Sequence, residues 1–134
     1  MSWLGSAMMA TMSMIQPELW VDRGAAAVGF YQDAFGARIL HQGGEGEDIV
    51  AQLDVDGALF WVAAVGSSQD RKVPREIGGA TARFLLVVND PEGAHAHAVR
   101  AGAQNISDVQ QEHGWTVGRL LDPFGHEWEI GRPD

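Results

Sequence analysis

Val21-Asp22-Arg23, Phe30-Tyr31, Ala34-Phe35-Gly36-Ala37 and Ile39-Leu40 form a spaced pattern that returns later in the chain as Val88-Asn89-Asp90, Ala94, Ala98-Val99, Ala101-Gly102-Ala103 and Ile106. The two valines are 67 residues apart and Gly36 and Gly102 are 66 apart, so one half maps on the other with a single-residue adjustment. Such self-similarity is the mark of a duplicated module. In each copy an apolar strand leads to a helix ended by glycine, a residue that tolerates the left-handed backbone of a helix C-terminus. Val28, Tyr31 and Phe35 fall on one helical face, and in the second copy Asp90 is placed as N-cap with Pro91 at the first helical position.

Worked outward from these landmarks, the pattern predicts strand 15–21, helix 24–35 and strands 37–42, 48–55 and 58–65. After a loop over 66–80 come strand 81–88, helix 91–101 and strands 104–110, 114–121 and 127–131. The modules are 15–65 and 81–131. Alternation divides the first strand of each into faces. Pro17, Leu19 and Val21 share one side and Gln16, Glu18 and Trp20 the other. Ala82, Phe84, Leu86 and Val88 turn to the helix, while Thr81, Arg83, Leu85 and Val87 turn away. Periodicity alone gives an α+β protein with mainly antiparallel strands.

A second stretch, Leu121-Asp122-Pro123-Phe124-Gly125-His126-Glu127-Trp128-Glu129-Ile130, reads as a tight turn followed by a strand with one apolar and one acidic face. Together with FYQDAFGA and the AGA block, this stretch resembles the glyoxalase/bleomycin-resistance/dioxygenase, or vicinal oxygen chelate, superfamily, most closely its PhnB-like members. The resemblance covers residues 15–132, which it implies are one glyoxalase-like domain. It implies two tandem βαβββ modules forming a curved, cup-shaped mixed sheet with the helices on the convex side. It also implies a homodimer.

Composition bounds the partners. The net charge of −9 over 134 residues repels nucleic acid and anionic lipid and favours a cationic ligand, although excess acid also simply keeps a protein soluble. No apolar run approaches a membrane span. The absence of cysteine removes disulfides and thiolate metal sites. All five methionines lie within residues 1–14, a segment without a basic n-region, so residues 1–14 read as a floppy tail or an early translational start rather than a secretory signal, and the protein is expected in the cytoplasm.

Catalytic members of the superfamily hold a divalent metal in the cup, and the resemblance carries its four ligand positions onto Gln16, Trp61, Arg83 and Glu129. Indole has no lone pair to offer and a guanidinium repels the ion, so only Gln16 and Glu129 retain ligand chemistry. The expectation is therefore a degenerate site with no cofactor, a divalent metal being the alternative. Arg83 and Glu129 are expected to form a buried or half-buried ion pair across the old metal position, and the rival reading leaves Arg83 free for a ligand's carboxylate or phosphate. Gln16, Glu18, Trp20, Trp61, Arg83 and Glu129 make up the expected ligand-binding set, with Trp20, Trp61 and Trp115 as aromatic walls. His95 and His97 diverge on their helix, His126 faces away from Glu129, and His41 and His113 lie beside loops, so the histidines do not assemble a separate metal site.

The function expected is binding of a small, possibly cationic or aromatic, molecule in the cup without metal. The alternative is a metal-dependent lyase, isomerase or dioxygenase using Glu129 as base or ligand. A third reading is a non-catalytic module whose cup is filled by its own side chains.

Overall fold

The computed structural model describes residues 13–66 and 68–134, so the tail expected over residues 1–14 falls almost wholly outside it. The first module runs β1 (Glu18–Val21), α1 (Gly24–Phe35), β2 (Arg38–Gly43), β3 (Val50–Val55) and β4 (Ala58–Ala64). The second runs β5 (Arg83–Val87), α2 (Pro91–Ala101), β6 (Gln104–Glu112), β7 (Trp115–Leu121) and β8 (Glu127–Pro133).

Both helices occupy the predicted residues because their ends are set by local chemistry. Gly36 caps α1 with a φ of 69°, and the Asp90 side chain accepts from the Gly93 amide at 3.1 Å to start α2. The N-terminus of α1 has no cap from its own neighbours. Instead Glu47 brings one carboxylate oxygen to the amides of Ala25 and Ala26, at 2.9 and 3.2 Å. A negative group there satisfies free N–H donors and the positive end of the helix dipole. The close approach needs glycine at position 24, where a Cβ would stand 2.6 Å from Ile49 Cγ2 and 2.8 Å from the Glu47 carbonyl. Residues 42–48, glycine-rich and acidic, thus carry the cap within a 3₁₀ turn at Gly46–Asp48.

The strands form two four-stranded sheets with the same order, β1-β4-β3-β2 and β5-β8-β7-β6. In each, the first strand is parallel to the last and the other pairings are antiparallel. Repeat-related residues keep equivalent register: Glu18 faces Trp61 in the first sheet, and Leu85 faces Glu129 in the second. The duplication is therefore written into the hydrogen bonding, and the α+β arrangement of two βαβββ modules is the architecture. β1 begins three residues later than expected, because Pro17 lacks an N–H and joins the sheet only as acceptor from the Trp61 amide, at 2.8 Å.

The predicted division of faces holds. Leu19 and Val21 are buried while Glu18 is exposed, and Phe84 and Leu86 pack on the core while Arg83, Leu85 and Val87 do not. The two modules share one core. Tyr31 and Phe35 of α1 and Phe60 of β4 meet Trp128 of β8 with ring centroids 4.8–5.7 Å apart. Rings of this size at these offsets supply much of the apolar area removed from water.

Candidate functional site

On the sheet face turned away from the helices, three positions of each module converge on one oxygen. In the first module Trp61 Nε1 and Gln52 Nε2 both donate to Gln16 Oε1, at 2.8 and 2.9 Å. In the second, Arg119 Nε donates to Glu129 Oε2 at 3.0 Å, and Arg83 Nη1 lies 3.8 Å from that same oxygen. The triads are repeat-related: Gln16 matches Arg83, Gln52 matches Arg119 and Trp61 matches Glu129. The acceptor stands just before the first strand in one module and on the last strand in the other. Among the hydrogen bonds and ion pairs of the described residues, none joins the two triads.

The expected Arg83–Glu129 pair is thus present only as a long contact, with the Arg83 side chain 45% exposed. Arg83 makes its hydrogen bonds to Glu127, its cross-strand partner, through Nε and Nη2 at 3.3 Å each. The tighter partner of Glu129 is Arg119, whose two terminal nitrogens also hold both oxygens of Glu112 at 2.9 Å. The hydrogen bonds from Arg119 hold the Glu112 carboxyl at about 2, and those from Glu112 push the guanidinium of Arg119 upward. Three carboxylates against two guanidinium groups leave this face with one net negative charge.

Glu18 and Trp20 are placed elsewhere, at the seam between the modules. A cavity of about 340 Å³ lies between β1 and the lead into β5, and residues 70–80 complete its wall. Glu18, Trp20, Asp70, Lys72, Phe84 and His126 line it. Trp20 Nε1 donates to Glu18 at 2.8 Å, which orients the indole. His126 Nε2 lies 2.8 Å from the Trp20 carbonyl and so ties the turn of the second module to β1 of the first. Gln16, Trp61, Trp115 and Glu129 are not in this wall.

Behind the seam stands a buried carboxylate. Asp122 accepts from the Tyr31 hydroxyl and Trp128 Nε1 through one oxygen, and from the Phe124 and His126 amides through the other. Burial first, and the neighbouring Asp122 charge second, push the Tyr31 hydroxyl well above its ordinary value, so it remains a donor. The FY pair and the DPFGH turn are two halves of one hydrogen-bonded joint.

A sequence profile of the Glyoxalase/Bleomycin resistance protein/Dioxygenase superfamily matches residues 12–130. The chain belongs to this superfamily. An uncharacterized protein of Mycobacterium tuberculosis (strain ATCC 25618 / H37Rv) is 31% identical over 128 residues, covering 89% of this chain and 74% of that protein. The crystal structure of a gene product from Arabidopsis thaliana is 28% identical, with a TM-score of 0.73 over 90% of this chain and 99% of that one. TioX from Micromonospora sp. ML1 superposes with a TM-score of 0.72 at 24% identity, over 92% and 100% of the two chains, which shows the shared fold.

The donors that superfamily membership would offer a divalent metal do not fit one here. The Gln16 amide oxygen is already the acceptor of two hydrogen bonds, and the nearer Glu129 oxygen is held by a guanidinium. Trp61 turns an N–H donor toward the position, and among the described residues no group of three or more His, Cys, Asp or Glu is placed to hold an ion. Three of the histidines are engaged singly: His95 with the Arg119 carbonyl at 3.3 Å, His97 with the Asp33 carbonyl at 2.7 Å and His126 with the Trp20 carbonyl.

Gln52 and Arg119 of the triads, and Asp70, Lys72, Phe84 and His126 of the seam wall, lie outside the set expected from the sequence. For the first two a signal existed: they are 67 residues apart, the same offset that relates Gln16 to Arg83. His126 was discounted because it faces away from Glu129, and that direction is what brings it to the seam.

Proposed function

We propose that this protein binds a small, flat, cationic molecule without a metal, and that the seam cavity receives it. The observation that carries the reading is the wall itself: Glu18 and Asp70 outnumber Lys72 in charge, and Trp20 and Phe84 supply aromatic surface. A cation gains from both, through charge and through the ring faces. The volume of about 340 Å³ is within the range of small-molecule sites.

The enzymatic alternative, a lyase, isomerase or dioxygenase, would need Glu129 as base or ligand. Arg119 donates to that carboxylate at 3.0 Å and so ties it to its own strand pair rather than leaving it free to approach a substrate. We place the protein with the PhnB-like branch, in the cytoplasm and as a homodimer. In support, no helix among the described residues is long and apolar enough to cross a membrane, and Ile39 and Leu40 on the edge strand β2 leave apolar surface for a partner copy.

Proflavine, a flat aromatic cation, tests the reading by fluorescence titration. Saturable binding is expected, weakened by roughly tenfold in Glu18→Gln and in Asp70→Asn and further in Trp20→Ala. Equal binding by all four proteins, or none by wild type, sinks it.

A further inference from the structure

A second cavity, of about 260 Å³, opens where the edge of β5 passes β1 and β4. Its wall is almost wholly apolar and reaches the shared core through Leu19, Phe35, Phe60, Leu86 and Trp128. Among the described residues Arg83 is the one charged group that lines it. It shares Phe84 with the seam cavity but, unlike that cavity, has no carboxylate in its wall.

An apolar hollow of this kind holds water poorly, because water there has few polar partners. Apolar cavities of about 150 Å³ stay dry and take up benzene-sized guests. This one is larger and open at one side, so it suits a chain that enters by its apolar end. The charge of Arg83 selects the other end. Its Nε and Nη2 bonds to Glu127 are long for charge-assisted bonds, at 3.3 Å, and Nη1, though 3.8 Å from Glu129 Oε2, makes no hydrogen bond among the described residues. The side chain is 45% exposed. A guanidinium so loosely held keeps donors for an oxyanion at the mouth of an apolar hole.

We propose that this cavity is a binding site for an amphipathic carboxylate, with the apolar tail among Leu19, Phe60, Leu86 and Trp128 and the carboxylate on Arg83. The site is independent of the cation reading, since it has different walls and the opposite charge preference. Its balance of forces is also different: burial of the tail supplies most of the affinity, and Arg83 supplies the discrimination.

Octanoate and octanol, titrated by calorimetry, separate the two contributions. Octanoate is expected to bind at least roughly tenfold more tightly than octanol to wild type. Arg83→Gln should remove that difference while leaving octanol unchanged. Ala58→Trp, at a position in the cavity wall, should abolish binding of both while the melting temperature and proflavine binding stay as in wild type. Nuclear magnetic resonance should place the saturable shifts on the Leu19 and Leu86 methyls. Equal affinity for octanoate and octanol, unchanged binding in Ala58→Trp, or octanoate affinity that falls as protein concentration rises, which would make the groove a contact between copies, each overturns the proposal.

Discussion

Tyr31, in the helix of the first module, donates its hydroxyl to Asp122 in the last turn of the second, and the two residues are 91 positions apart in sequence. Because both groups are buried, removing one leaves the other short of a partner it cannot replace with water. Tyr31→Phe should cost about 1–3 kcal/mol in urea unfolding. Asp122→Ala strands the Tyr31 hydroxyl, the Trp128 indole N–H and two amides together and should cost more than about 3 kcal/mol. A smaller loss in Asp122→Ala than in Tyr31→Phe would contradict this joint.

Glu47 gives a milder prediction. Its carboxylate caps α1 from outside the helix, so Glu47→Ala should cost about 1 kcal/mol. Glu47→Gln keeps an acceptor and loses the charge, so it should lie between. Hydrogen exchange at the Ala25 and Ala26 amides should quicken in the alanine variant and report the cap directly.

The Arg119–Glu112 pair predicts a pH dependence of known sign. The folded carboxyl of Glu112, at about 2, lies below its ordinary 4.5. Its stabilising contribution is therefore complete above the ordinary value and is lost as pH falls from there toward the folded value. The melting temperature of Arg119→Gln should be lower than that of wild type near neutral pH, and the gap should close across that acidic window. Asp54, lowered chiefly by its hydrogen bond from Arg38, acts in the same direction and is common to both proteins, so it drops out of the comparison.

Metal uptake separates the binding reading from the enzymatic one. Wild type incubated with zinc, manganese, nickel or iron(II) should hold no stoichiometric ion by elemental analysis. Arg83→His alone should also fail, because Arg119 still occupies Glu129 at 3.0 Å. Trp61→Glu, Arg83→His and Arg119→Gln combined should gain one ion per chain. One ion per wild-type chain, released by Glu129→Gln, would return the protein to the metalloenzymes.

How much of this was legible depended on how far each signal reached along the chain. Helix ends were readable because Gly36, Asp90 and Pro91 act within a turn of themselves. Faces were readable because alternation is local: Leu19 and Val21 went inside as their spacing required. The donors on Gln16 and Glu129 were not, since cross-strand partnership depends on register that no single strand encodes. Glu47 escaped for a related reason, as its role is fixed by a helix more than twenty residues away. The seam cavity was the least legible, because it belongs to neither module alone.

Each half of the polar face is closed upon itself, one around an amide oxygen and the other around a carboxylate. A change in one triad therefore leaves the other intact, since the acceptor of each is satisfied from within its own module. Substitutions at Glu18, Asp70 and Lys72, which are exposed and peripheral to the core, can therefore reshape the seam without disturbing either triad. Under the proposed function the two triads serve as internal fastenings, and recognition falls to the border between the copies.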